Sequence, residues 1–271
     1  MADWTGSTKL IADGKTLEYQ CYGPSPDSAI TIVLLHEGLG CVALWRDFPA
    51  KLAQATGCGV LVYARAGYGQ SDLADLPRPL DYMSREAAEI LPQVLDQIGV
   101  QRCILLGHSD GASIAALYAG SVADYRVRGQ VLIAPHFFTE PMGLAEIAKA
   151  KLAYENTDLR KRMGKYHRDP DNTFCGWNDS WLHPDFVSWN IADVIDHFRI
   201  PTLTIQGRQD PYGTLAQITE IEDRSYAPVE TLMLDNCGHA PFLDHPDIVT
   251  QRIAAFVSRL VRIEDVVVRT G

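Results

Sequence analysis

The feature that most restricts the fold is a regular alternation between short apolar runs and longer helical patterns. The segments "AITIVLLHEG", "GVLVYA", "RCILLG", "GQVLIAP", "IPTLTIQG" and "VETLMLDNCG" are apolar runs of the kind buried on both faces of a parallel sheet. Helical patterns stand between them: "VALWRDFPAKLAQAT", "SREAAEILPQVLDQIG", "ASIAALYAG" and "TLAQITEIEDRS". After the last run, "DIVTQRIAAFVSRL" places Val249, Ile253, Phe256, Val257 and Leu260 on one helical face. Such alternation predicts an α/β chain, with a mainly parallel sheet and helices on both of its faces. Ahead of it, "KLIADGKTLEYQCYG" has two alternating runs about an Asp-Gly turn, so the sheet is expected to begin with an antiparallel hairpin.

The alternation breaks once. Between Phe137 and Arg199 the chain is helical and aromatic without a convincing strand, and it then returns to the sheet pattern. An insertion of this size reads as a helical lid over the strand ends; a peripheral helical layer is the plainer alternative. The expected organisation is a core domain in two parts, residues 1–136 and 200–271, around a lid at 137–199. The tail "IEDVVVRTG" is read as a further strand or an oligomer contact, which leaves a homo-oligomer open.

Charge narrows the function. Lys and Arg number 24 against 34 Asp and Glu, a net charge of −10, so the basic footprint of a nucleic-acid binder is missing. No apolar run approaches the roughly 20 residues of a membrane span. "MADWTGSTKL" lacks the layout of a signal peptide, so the expected location is cytoplasmic. Six scattered cysteines without a C-x-x-C pair suit reduced, buried thiols. "HEGLG" lacks the second histidine of a zinc helix and "GYGQSD" lacks the lysine of a phosphate loop, so neither a metal site nor a phosphate-binding cofactor is expected.

The chemistry is concentrated in G-H-S-D-G, Gly107 to Gly111, where an apolar run meets a helix. Glycines two residues either side of Ser109 permit a sharp turn that lifts its hydroxyl over the sheet edge. Taken alone, the motif fits a helix-capping serine equally well. A serine nucleophile needs a base, and the base needs an orienting group. Asp210 stands three residues beyond the glycine closing "TLTIQG", and His239 directly follows "TLMLDNCG". The oxyanion would need backbone donors: the amide of Asp110, and that of Gly38, with Leu39 second, in the glycine-rich turn after "TIVLLHEG".

Together "LLHEGLG", "WRDFPAKLA", "RAGYGQSD", "GHSDG", "IQGRQDPYG" and "DNCGHAPFLDHPDIV" resemble the α/β-hydrolase superfamily over roughly residues 9–262. The resemblance implies a sheet of about eight strands, a lid after the sixth, no cofactor, and a serine-hydrolase mechanism with Ser109, Asp210 and His239 in the matching positions. Two acids depart from the common pattern: Glu37 after the strand-end histidine, and Asp110 after the serine.

A charge on Asp110 about 6 Å from the oxyanion would repel it by roughly 3 kcal/mol at an effective dielectric of about 20. Its side chain is therefore expected to be turned away, paired, or used on the substrate. Glu37 is expected to pair with Arg65 and so fix the oxyanion turn. Leu39, His108, Phe137, Trp177 and Trp181 are candidates for lining the substrate pocket. The function expected is cleavage of an acyl bond in a small to medium neutral ester. A carbon-carbon hydrolase of a vinylogous diketone uses the same triad, and a non-catalytic ligand receptor is the alternative of another class.

Overall fold

The computed structural model describes Trp4 and residues 9–270, with side chains as far as Ile263. Asp13 and Gly14 both adopt positive φ (49° and 69°), the geometry of a tight hairpin turn. They join β1 (Leu10–Ala12) to β2 (Lys15–Leu17) in an antiparallel two-stranded ribbon. The second predicted run does not continue as one strand. At Glu18 the N–H turns to Ser71 Oγ (2.9 Å) and the carbonyl accepts from Ala64 N–H (2.8 Å), so the chain changes ladder partner. β3 (Tyr19–Tyr22) then pairs antiparallel with β5 (Gly59–Tyr63).

The remaining strands are β4 (Thr31–Leu35), β6 (Cys103–His108), β7 (Val127–Ile133), β8 (Thr202–Gly207) and β9 (Val229–Leu234). The central sheet runs β3-β5-β4-β6-β7-β8-β9, with every pairing after the first parallel. It has seven strands rather than the expected eight, because β1 and β2 form a sheet of their own. Because the second predicted run is split into β2 and β3, the long helical segment follows β7 in chain order, although it leaves from the same run, "GQVLIAP".

Strand alternation divides the core. Ile32 and Leu34 of β4, with Ile104 and Leu106 of β6, face one layer. That layer holds α1 (Phe48–Thr56) and α10 (Pro246–Thr270), whose Val249, Ile253, Phe256 and Val257 are buried as their spacing requires. Val33, Leu35 and Leu105 face the other layer, with α2 (Tyr82–Arg85), α3 (Leu91–Ile98) and α4 (Asp110–Ser121). Ala112, Ala115 and Ala116 let α4 lie close against the sheet. None of the six cysteines forms a disulfide, and five of them are buried.

Between β7 and β8 lie α5 (Pro141–Asn156), α6 (Leu159–Met163), α7 (Pro170–Trp181) and two short 3-10 turns. Aromatic residues there pack largely on one another: Tyr154 stacks on Phe174 at 3.9 Å, and Trp181 contacts Phe186 and Trp189. α8 (Ala216–Arg224) joins β8 to β9, and α9 (Pro241–Asp244) precedes α10. The tail is not the strand considered above. It prolongs α10 to Thr270, and its side chains beyond Ile263 lie outside the described residues. No helix among the described residues is long and apolar enough to cross a membrane.

Candidate active site

Ser109 links β6 to α4 with φ 53° and ψ −119°, a conformation strained for any residue but glycine. Its hydroxyl makes no capping bond to α4, which removes the capping explanation of the motif. The glycines around it are sterically required. A Cβ on Gly107 would run into the Gly111 carbonyl, and one on Gly111 into the Leu35 carbonyl. Both obstacles are backbone. Gly111→Ala is therefore expected to destabilise the fold by about 2–3 kcal/mol despite alanine's better helix propensity, measured as a lowered urea midpoint at unchanged slope.

At the ends of β8 and β9 the chain brings Asp210 to His239. His239 Nδ1 lies 2.8 and 3.0 Å from the two carboxylate oxygens, which also accept from Gln206 Nε2 (2.9 Å) and Tyr212 N–H (2.8 Å). Burial alone would raise the Asp210 carboxyl. The bonds from His239, Tyr212 and Gln206 outweigh it and hold the group below the usual carboxylate range. An ionised Asp210 accepts the Nδ1 proton, which leaves the lone pair of His239 on Nε2.

Ser109 and His239 line one cleft of about 570 Å³, its open mouth included, together with Gly38, Leu39 and Tyr212. Leu144 and Ile147 of α5 and Trp177 and Trp181 of α7 also line it. Of the five residues offered for a substrate pocket, Leu39, Trp177 and Trp181 line this cleft, and Phe137 and His108 do not. Phe137 is fully buried in the core. His108 lies behind the cleft, its Nε2 donating to the His239 carbonyl at 2.6 Å. Sequence reasoning missed His136 and Tyr212. Tyr212, two residues past Asp210 in "DPYG", was the more accessible, since its N–H bonds that same carboxylate.

The turn after β4 meets Arg65, but not through an ion pair. Arg65 is buried and donates to the carbonyls of His36 (2.6 Å) and Glu37 (3.1 Å), while its ring neighbour is Tyr68. The Glu37 side chain has its charged neighbour elsewhere. Its carboxylate lines the cleft, 3.5 Å from His108 Nδ1. The expected Glu37–Arg65 pair is replaced by a clamp on the main chain. Burial would raise Glu37, but His108 and the more distant His239 hold it below its ordinary value. At Gly38 the Trp177 indole packs so closely that any Cβ would overlap it.

Asp110 is paired. Tyr82 Oη donates to one oxygen at 2.5 Å and Trp181 Nε1 to the other at 3.2 Å, in a fully buried setting. Burial pushes its carboxyl above the usual range against the pull of Arg65, Tyr82 and Arg78. As the first residue of α4, its N–H has no partner within the helix. Among the described residues no group of three His, Cys, Asp or Glu side chains is placed to hold a metal ion.

A sequence profile described as the Alpha/beta hydrolase family matches residues 32–252. The chain belongs to this family. Among curated relatives, a zearalenone hydrolase of Cladophialophora bantiana is 30% identical over 259 residues, covering 89% of this chain and 92% of its own. A pimeloyl-[acyl-carrier protein] methyl ester esterase of Aeromonas hydrophila is 26% identical over 262 residues, covering 87% and 97%. Among solved structures, one from work on carboxylesterases of Nitrososphaera gargenis superposes with a TM-score of 0.75 at 14% identity, covering 92% of this chain and 96% of that one. That likeness bears on the alpha/beta hydrolase fold alone.

Proposed function

We propose that this family member is a serine hydrolase that cleaves carboxylic esters through an acyl-enzyme intermediate. The observation that carries the reading is the convergence on one cleft of a serine held at positive φ and a histidine whose Nδ1 is tied to a buried carboxylate. In this reading Ser109 attacks the ester carbonyl while His239 Nε2 takes its proton, and Asp210 holds the imidazole and stabilises its charge. The amides of Gly38 and Asp110 receive the oxyanion. His239 then protonates the leaving alcohol and activates the water that releases the acid.

Relatives matched over most of the chain that act on a methyl ester by name support ester cleavage. A cleft walled by Leu39, Leu144, Ile147, Trp177 and Trp181 favours a small to medium neutral substrate. Glu37 and Glu140 on its lining disfavour polyanions. The segment 137–199 acts as its cover.

A fluorophosphonate probe tests the reading directly, because it phosphonylates only an activated serine. Peptide mass analysis is expected to find a single adduct, on Ser109, that heat-unfolded protein does not form. An unlabelled native chain, or an adduct elsewhere, would refute the assignment.

A further inference from the structure

The mechanism above has no task for His136, yet this residue is part of the cleft wall. It is only 6% exposed. Its ring lies 5.7 Å from that of His239 and edge-on to Trp181 at 5.6 Å. The backbone beneath it is pinned on both sides: the His136 carbonyl accepts from Ser113 Oγ (2.6 Å), and the next N–H bonds to Gln217 Oε1 (2.7 Å). Opposite the ring stands Gly213, where a Cβ would come within 3.1 Å of Cε1. The imidazole is thus held in place, and neither of its nitrogens has a hydrogen-bond partner among the described residues.

Burial lowers the proton affinity of this ring, with His239 and His108 adding to the effect and Asp210 opposing it, and the pKa falls to about 3. At any working pH the ring is neutral, with one donor and one acceptor. Water in the open cleft can satisfy both. A substrate that expels this water must replace its bonds or leave two buried polar atoms unmet. A neutral ring does not attract an anion, and to an ammonium group, which the Glu37 and Glu140 carboxylates of the lining would attract to themselves, it offers one acceptor for three donors. A hydroxyl fits, since it donates to one nitrogen or accepts from the other whichever tautomer is present.

We propose that His136 is a specificity residue that hydrogen-bonds a hydroxyl group of the substrate, so that the preferred substrates are hydroxylated esters. This rests on the serine-hydrolase reading.

The test compares kcat/KM, by pH-stat titration, for methyl butyrate against methyl 2-hydroxybutyrate, 3-hydroxybutyrate and 3-aminobutyrate, and for propyl butyrate against 3-hydroxypropyl butyrate. The enzymes are the natural chain, His136→Phe, His136→Gln and Gly213→Ala. At least one hydroxylated ester is expected to exceed its parent by about tenfold or more in the natural chain. That ratio is expected to fall to within about threefold in His136→Phe, to recover in part with glutamine, and to fall in Gly213→Ala, which displaces the ring without removing it. Parity in the natural chain overturns the proposal. So does a preference that survives both His136→Phe and Gly213→Ala, or one shared equally by the amino ester. A uniform loss on every ester in His136→Phe also overturns it, by assigning the ring to the hydrolytic water. Fluorophosphonate labelling of each protein separates the two ideas. A labelled natural chain with no hydroxyl preference sinks this inference alone, whereas an unlabelled one sinks the serine mechanism and this inference with it.

Discussion

Ser109→Ala is expected to lower kcat/KM on p-nitrophenyl butyrate by about 10⁴ to 10⁶ while leaving the unfolding midpoint almost unchanged. The large number follows from losing the covalent step altogether. What remains is the attack of water in a cleft that still offers the Gly38 and Asp110 amides. The small stability effect has a structural reason. Alanine at φ 53° is strained much as serine is, and the serine hydroxyl makes no cap that alanine would lose. Initial rates and urea titrations on the same preparation decide the matter. Activity within tenfold of the natural chain would mean that another group does the chemistry.

Asp210→Asn is the second large effect, a loss of about 10⁴ in kcat. Either orientation of the amide is wrong. One carboxylate oxygen faces Gln206 Nε2 and the other Tyr212 N–H, so the new NH₂ meets a donor wherever it is placed. If it also points at His239 Nδ1, the imidazole must put its proton on Nε2, where the lone pair is needed. A buried donor left unmet costs a further 1–3 kcal/mol or so of stability. Because the folded Asp210 carboxyl titrates below its ordinary range, its stabilisation is complete above that range and is lost as pH falls through the depressed value. The asparagine variant should lack this acid-side component. Stopped assays and urea midpoints at several acidic pH values check both effects, and kcat within tenfold of the natural chain would remove Asp210 from its proposed role.

Much of the site could be read from the chain because each part is locally determined. Ser109, Asp210 and His239 sit at fixed short distances past glycines that close apolar runs, and a strand end is a feature of local sequence. The buried face of α10 was legible for the same reason. What escaped depends on partners far away in sequence. The break at Glu18 is made by Ser71 and Ala64, some fifty residues on. The choice of His136 over Phe137 as the cleft residue follows a backbone kink, Ala134 at φ 46°, just beyond β7, which ends the simple alternation of the strand. The Glu37–Arg65 expectation had the right two segments and the wrong atoms, since nothing local says which side of a turn its carbonyls face.

The bond from Trp181 Nε1 to Asp110 carries a lesson for protein engineering. It ties the last residue of α7 to the residue after Ser109, across the boundary at which one would cut to exchange 137–199 for the corresponding segment of another hydrolase. A graft without an N–H or O–H donor at that point would leave a buried carboxylate oxygen bare beside the turn that holds Ser109. Transplants that keep an indole there, or replace Asp110 with an apolar residue in the same step, avoid the defect. The graft and the turn are therefore a single module for recombination.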